Sequence, residues 1–353
     1  MANTNKEWVK QKIKFFCKKI EKGILADKSL KCRVVFGPIR SRRLGYVLGI
    51  NNVKSKICSY DCIYCPSGNT TCYSVCANYC LSPYELHLSV KNKLEELKKS
   101  NKKIEYIVFA GGGEATLDSS LSKEISLLRE FGYKIAVFTN ASLLWNYDIQ
   151  ENLMYADYVS VKIDTVNDDT WMKINRPHRK LDYNVILNGI KEFSQKFNGT
   201  FVTETTLIKN LNDNAEEIEN LSTYLNSLKH EASYFMTPIY PPSESYAESP
   251  DKEILDHLSK MINEKVNKSV MLCCPKTEEF FATGDFENEL LGLLSLHPVG
   301  VEAVNHFIKD KVEIEKLKDM IKNNVIKEIN FNGKKYLAGK EDINLNMLNY
   351  THS

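Results

Sequence analysis

The 353-residue chain is 43% hydrophobic and 26% charged, which supplies a buried core and excludes a disordered or fibrous chain. It has no run of about 18 apolar residues for a membrane span and no N-terminal apolar stretch with a cleavage site, so the cytoplasm is its expected location. The net charge of +2 hides an asymmetry: residues 1–33 carry ten Lys or Arg and three Asp or Glu, a net +7, and the remainder sums to −5.

In chain order, residues 1–33 form a basic arm, read either as a solvated helix or as a segment facing nucleic acid. A Gly/Arg-rich loop follows, Phe36-Gly-Pro-Ile-Arg-Ser-Arg-Arg-Leu-Gly45, leading into a short apolar strand at 48–51 and a cysteine-rich segment. Ser82-Pro83-Tyr84-Glu85 then opens a helix: Ser suits the N-cap, Pro the first helical position, and Glu the reciprocal end of a capping box. Apolar, β-branched runs at 104–109, 134–138, 158–163, 201–207 and 232–237 alternate with helical periodicity at 121–131, 184–197 and 215–228. With the strand at 48–51, six β/α units are expected. They predict an α/β fold, a partial (β/α)6 TIM-like barrel over 34–275 whose functional residues gather at the carboxyl ends of the strands. Past Pro275 three helical stretches (286–296, 299–308, 314–323) precede alternation at 326–337 around Asn332-Gly333, a hairpin signal. A winged-helix-like domain is expected over 276–341, and a tail over 342–353.

Ten cysteines without an export signal point to metal or redox chemistry before disulfides. Cys17 and Cys32 stand alone, Cys273 and Cys274 are adjacent, and six fall between 58 and 80. Cys58-Ser-Tyr-Asp-Cys62-Ile-Tyr-Cys65 has the spacing C-x3-C-x2-C. Three thiolates can hold three irons of a cubane and leave the fourth open, whereas closed iron–sulfur and zinc sites use four protein ligands. A zinc site is the alternative at this point. After the strand at 104–109 comes Ala110-Gly-Gly-Gly-Glu114, where glycines admit close backbone approach and a carboxylate can receive an ammonium; a tight strand-to-helix turn is the plainer reading. Asn140, Asp164 and Glu204 are polar groups at or near strand ends, and they are costly there unless paired.

The cysteine spacing with Tyr64 before the third thiol, together with Gly112-Gly113-Glu114, resembles the radical S-adenosylmethionine (radical SAM) superfamily. The resemblance implies a [4Fe–4S] cluster on Cys58, Cys62 and Cys65. It further implies S-adenosylmethionine on the open iron, cleaved reductively to a 5′-deoxyadenosyl radical. Tyr64 would lie near the adenine, and Gly112, Gly113 and Glu114 would hold the methionyl end with Asn140, Asp164 and Glu204. It also implies anaerobic chemistry and a flavodoxin- or ferredoxin-like electron donor. Pro38-Ile-Arg-Ser-Arg-Arg-Leu-Gly45, Lys173-Ile-Asn-Arg-Pro-His178 and Asn210-Leu-Asn-Asp213 are similar to a branch related to the tRNA wyosine synthases, over residues 34–245.

Cys72, Cys76 and Cys80 depart from that branch. Their spacing of four places them on one face of a helix or strand. A second iron–sulfur cluster completed by Cys32, Cys273 or Cys274, a zinc site, and buried thiols are the three readings. Arg40, Arg42 and Arg43 suit a substrate phosphate or carboxylate, or else surface ion pairs. His178 is read as holding its loop. For the substrate, a tRNA base is favoured over a peptide or protein side chain, and a small metabolite comes third.

Overall fold

The computed structural model describes residues 34–78, 80–273, 280 and 285–339. The basic arm, Cys17, Cys32, Cys274, the boundary at 275/276 and the tail lie outside the described residues.

The elements in chain order are β1 (Val35–Ser41), β2 (Gly45–Ile50), β3 (Ile57–Cys58), β4 (Cys72–Tyr73), α1 (Pro83–Lys99), β5 (Tyr106–Phe109), α2 (Leu121–Leu128), β6 (Lys134–Thr139), α3 (Tyr147–Leu153) and β7 (Tyr158–Lys162). They continue with α4 (Asp168–Asn175), α5 (Tyr183–Lys196), β8 (Thr200–Thr206), α6 (Ala215–Asn226), β9 (Ala232–Met236), α7 (Lys252–Lys265) and β10 (Ser269–Met271). One sheet runs β1-β2-β5-β6-β7-β8-β9-β10, antiparallel only between β1 and β2. The six expected strands are all in it. Two strands are additional: β1, inside the stretch expected as a loop, and the three-residue edge strand β10. Gly37 and Pro38 interrupt the pairing of β1, where the register shifts between Phe36 and Ile39, and this irregularity obscures the alternation in the sequence.

Alternate strand residues go to opposite faces. Ile107, Phe109, Ile135, Val137, Val159 and Val161 join the core beneath the helices, while Val47, Val108, Ala136, Tyr158 and Val202 fill the inner face. That inner cluster closes the floor of the barrel and leaves its upper half to polar side chains. Among the described residues no helix is long and apolar enough to cross a membrane.

The C-terminal unit holds α8 (Phe286–Leu294), β11 (Val299–Gly300), α9 (Val301–Phe307), α10 (Lys311–Lys322), β12 (Ile326–Phe331) and β13 (Lys334–Gly339), with its strands ordered β11-β13-β12. Asn332 (φ 48°) and Gly333 (φ 73°) make the two-residue turn between β12 and β13. This unit is fastened to the barrel. Phe36 of β1 is buried within its core beside Phe286, Leu290 and Phe307, a burial that contributes about 1.5–3 kcal/mol. Lys93 of α1 pairs with Glu289 of α8 at 2.5 Å.

Candidate active site

Loops at the carboxyl ends of the parallel strands converge above the barrel. The loop after β2 carries Cys58, Cys62 and Cys65. Its path is fixed from outside: Asp61 N–H donates to Asn175 O (3.0 Å), Ile63 N–H to Ile174 O (2.9 Å), and Glu244 N–H to Ile63 O (2.9 Å). Ile63 is fully buried among Ile174, Ile208 and Ala247 and anchors the loop centre. The three thiols remain half-buried. Cys58 Sγ accepts from Tyr60 N–H (3.5 Å) and Asn140 Nδ2 (3.4 Å), and Cys62 Sγ from Asn175 Nδ2 (3.3 Å). Desolvation, then the Glu114 carboxylate, pushes the Cys58 thiol up to about 12; desolvation, then Asp164, raises Cys62. Thiols so placed ionise only against a strong positive partner, which an iron cluster supplies.

The loop after β5, Gly111-Gly112-Gly113-Glu114, lies against this first loop. Lys56 N–H donates to Gly112 O (3.0 Å) and Glu114 N–H to Ile57 O (3.1 Å). A Cβ on Gly113 would sit 2.5 Å from Ile57 O, and one on Gly112 2.7 Å from Ser295 O of the C-terminal unit. Only glycine allows that approach. Glu114 is buried. Its Oε1 accepts from Thr116 N–H (3.0 Å), Thr116 Oγ1 (2.6 Å) and Thr139 Oγ1 (2.5 Å), and its Oε2 from Asn140 N–H (2.7 Å). The carboxylate thus ties the glycine loop to the end of β6, and Oε2, which accepts from Asn140 N–H, keeps further acceptor capacity.

Asp164, just past β7, is equally engaged. It accepts from Tyr64 Oη, Asn175 Nδ2 (2.8 Å) and Thr206 N–H (2.8 Å), which joins the cysteine loop, α4 and β8. Lower in the lumen, Glu204 of β8 lies between two cations, Arg43 Nη2 at 2.6 Å and Lys162 Nζ at 2.8 Å. Burial opposes its ionisation, but Lys162 and Arg43 overcome that and bring it down to about 2. The Arg43 guanidinium also faces the rings of Phe138 (4.7 Å) and Tyr234 (4.9 Å), and Lys162 Nζ lies 4.8 Å from the Tyr64 ring centre. Above this network is a cavity of about 370 Å³, lined among others by Arg40, Arg42, Glu204, Tyr240, Leu296 and His297.

The three arginines differ in their engagement. Arg43 is engaged by Glu204, and Arg42 donates to Leu272 O (2.6 Å), so the cavity is positive through a network and not through three free forks. The one-face reading of Cys72, Cys76 and Cys80 does not hold. Only Cys72–Tyr73 is regular structure, and all three thiols are exposed instead of buried. Among the described residues no three His, Cys, Asp or Glu side chains gather around a single metal ion.

The profile of the radical SAM superfamily matches residues 52–222. A UPF0026 protein of Methanocaldococcus jannaschii is 34% identical over 304 residues, covering 85% of this chain and 94% of its own. The chain belongs to the radical SAM superfamily. Radical SAM enzymes use a [4Fe–4S] cluster and S-adenosylmethionine, and three half-buried thiols on one loop, two of them receiving amide hydrogen bonds, fit such a cluster. A radical SAM methyltransferase from Sphaerobacter thermophilus shares the fold, with a TM-score of 0.53 at 14% identity over 66% of this chain and 69% of that one. A relative from Protochlamydia amoebophila, described as a probable dual-specificity RNA methyltransferase, is 22% identical and covers 59% of this chain and 57% of its own.

Several residues of the radical SAM site are not marked by sequence reasoning. Asn175, the donor to Cys62, lies inside the motif Lys173-Ile-Asn-Arg-Pro-His178 and carries a signal there. Lys162 ends β7 beside Asp164. His297 has no sequence signal; it stacks on Tyr240 at 4.0 Å and reaches the cavity from the C-terminal unit. Ser67 Oγ, two residues past Cys65, donates to Leu296 O and holds that unit against the cysteine loop.

Proposed function

We propose that this radical SAM enzyme modifies a tRNA base held in the barrel lumen. The observation that carries the reading is the cation-lined cavity beneath the cysteine loop, where Arg40, Arg42 and the Arg43–Glu204–Lys162 network suit a base whose nucleotide brings a negative phosphate. The similarity to a probable RNA methyltransferase supports the same direction. Cys58, Cys62 and Cys65 would ligate the cluster. Bound there, the cluster supplies the electron that cleaves S-adenosylmethionine reductively. Gly112, Gly113 and Glu114 would receive the methionyl end, and Tyr64, held by Asp164, would lie near the adenine. Asn140 donates to Cys58 sulfur, and Glu204 sets the charge of the lumen. The C-terminal unit, through Leu296 and His297, keeps water from the cavity.

The same proposal includes a second iron–sulfur cluster on Cys72, Cys76 and Cys80, supported by three exposed thiols on a segment that pairs with the cysteine loop at Ile57 and Cys58. It would receive electrons from a flavodoxin- or ferredoxin-like donor in the cytoplasm. The test of the main reading is a mass-spectrometric profile of tRNA nucleosides from a deletion strain and its parent. Loss of one modified nucleoside, restored by wild type but not by Cys62→Ala, is expected. An unchanged profile would reject RNA and turn the search to peptides and metabolites.

A further inference from the structure

Outside the lumen, the back of the cysteine loop carries an open hollow of about 440 Å³, lined by Tyr73, Met172, Arg176, Pro177, His178 and Arg179. Three features set it apart from ordinary surface. The first is exposed aromatic and apolar area: Tyr73 is 42% and Met172 52% exposed. The Tyr73 ring lies 6.4 Å from that of His178, at 43°.

The second feature is rigidity. Tyr73 pairs in register with Cys58, so the backbone beneath the ring is fixed to the cysteine loop. His178 N–H donates to Ser59 O (2.8 Å), and Pro177 bridges to Tyr60. Nδ1 of His178 accepts from Lys180 N–H (3.2 Å), which puts the proton of the neutral ring on Nε2. His178 therefore does hold its loop, and it offers a fixed ring besides.

The third feature is charge. Arg176 is neutralised by Glu244 (2.5 Å) and Asp61 (3.6 Å), but Lys173, Arg179 and Lys180 are exposed and make no ion pair among the described residues. Cations at the carboxyl end of α4 suit its dipole. That alone would not place two such rings beside them.

Rings carried on a fixed backbone and flanked by unpaired cations match a nucleobase and its phosphates better than a peptide, which would seek a longer apolar groove. We propose that this hollow stacks an unpaired RNA base on Tyr73, with the tilted His178 ring bounding its edge, while Lys173, Arg179 and Lys180 contact the flanking phosphates. The inference rests on the RNA reading above. It makes the hollow a second point of attachment, joined to the mouth of the lumen through Cys58 and Ser59.

The test is fluorescence anisotropy with the cluster-reconstituted full chain and the labelled tRNA pool of the source organism, across a salt series. Tyr73→Ala should weaken binding roughly five- to a hundredfold, as loss of one stacked base does. Tyr73→Phe, which keeps the ring, should bind as wild type. Arg179→Ala/Lys180→Ala should flatten the salt dependence by roughly 0.7 per lost phosphate contact. S-adenosylmethionine cleavage should be unchanged in all three variants. Wild-type affinity in Tyr73→Ala and the double variant would overturn the hollow and leave the RNA reading intact. Equal loss in Tyr73→Phe would overturn it too, because the hydroxyl and not the ring would then matter. A wild type without affinity for tRNA would remove both.

Discussion

Two groups of three cysteines lie within 23 residues of one another and meet opposite environments. Cys58, Cys62 and Cys65 are half-buried on a loop that α4, the end of β6 and the segment at 243–244 all grip, and two of the three sulfurs receive amide hydrogen bonds. Cys72, Cys76 and Cys80 are exposed on a strip with two residues of regular strand. Thiol spacing alone would treat the groups alike. What separates them is whether the surrounding fold supplies donors to sulfur and excludes water, the two levers by which a protein tunes an iron–sulfur centre.

The largest expected difference comes from removing thiols. Cys62→Ala should abolish S-adenosylmethionine cleavage. Cys72→Ala/Cys76→Ala/Cys80→Ala should lose one cluster's worth of iron and sulfide and retain cleavage by a chemical reductant. Iron and sulfide analysis beside the cleavage assay separates the two, and equal iron content in wild type and triple variant would rule out the outer cluster.

Next in size is Gly113→Ala. Its Cβ would meet Ile57 O at 2.5 Å, so the inner loop must shift. A loss of about 1–3 kcal/mol in stability is expected, with cluster content falling in reconstitution while the outer strip is untouched. Asn175→Leu is gentler: it removes a donor from Cys62 Sγ and another from Asp164. The cluster midpoint should move to lower potential, because the hydrogen bond favours the more negative reduced state, and a redox titration followed by electron paramagnetic resonance reads it.

The smallest effect lies under the outer strip, which docks where Asn78 bridges to Asp118. Glu124 is fully buried there, and burial, then the Asp118 carboxylate, raises its carboxyl well above the ordinary range. The native state therefore holds this proton more tightly than the unfolded chain does. Stability falls as pH rises above the usual carboxylate pKa of about 4.3. Glu124→Gln removes that dependence, so its thermal midpoint should exceed that of wild type by a few degrees at pH 8 and by less at pH 5. A constant offset between the two pH values would contradict this.

The barrel is legible in the sequence because inner and outer strand residues alternate and because glycine and cysteine motifs fall where strands end. β1 is not, since Gly37, Pro38 and Arg40 interrupt its apolar pattern, and β10 is too short to leave a period. In the site, the contiguous motifs are legible: the inner thiols, Gly112 to Glu114, and the motif that contains Asn175. The Arg43–Glu204–Lys162 network is not, because it joins side chains from distant strands and depends on which of them the fold brings together. His297 is legible in neither way. It belongs to the lumen only because Phe36 and Ser67 fasten the C-terminal unit to the barrel.

The most direct measurement is anaerobic: the reconstituted chain, reduced with dithionite, is given S-adenosylmethionine, and 5′-deoxyadenosine is quantified for wild type, Cys62→Ala and the outer triple variant. Product from wild type and from the triple variant but none from Cys62→Ala is the predicted result. Equal product from wild type and Cys62→Ala, or none from any of them, would contradict the assignment of the inner thiols to the cluster that cleaves S-adenosylmethionine.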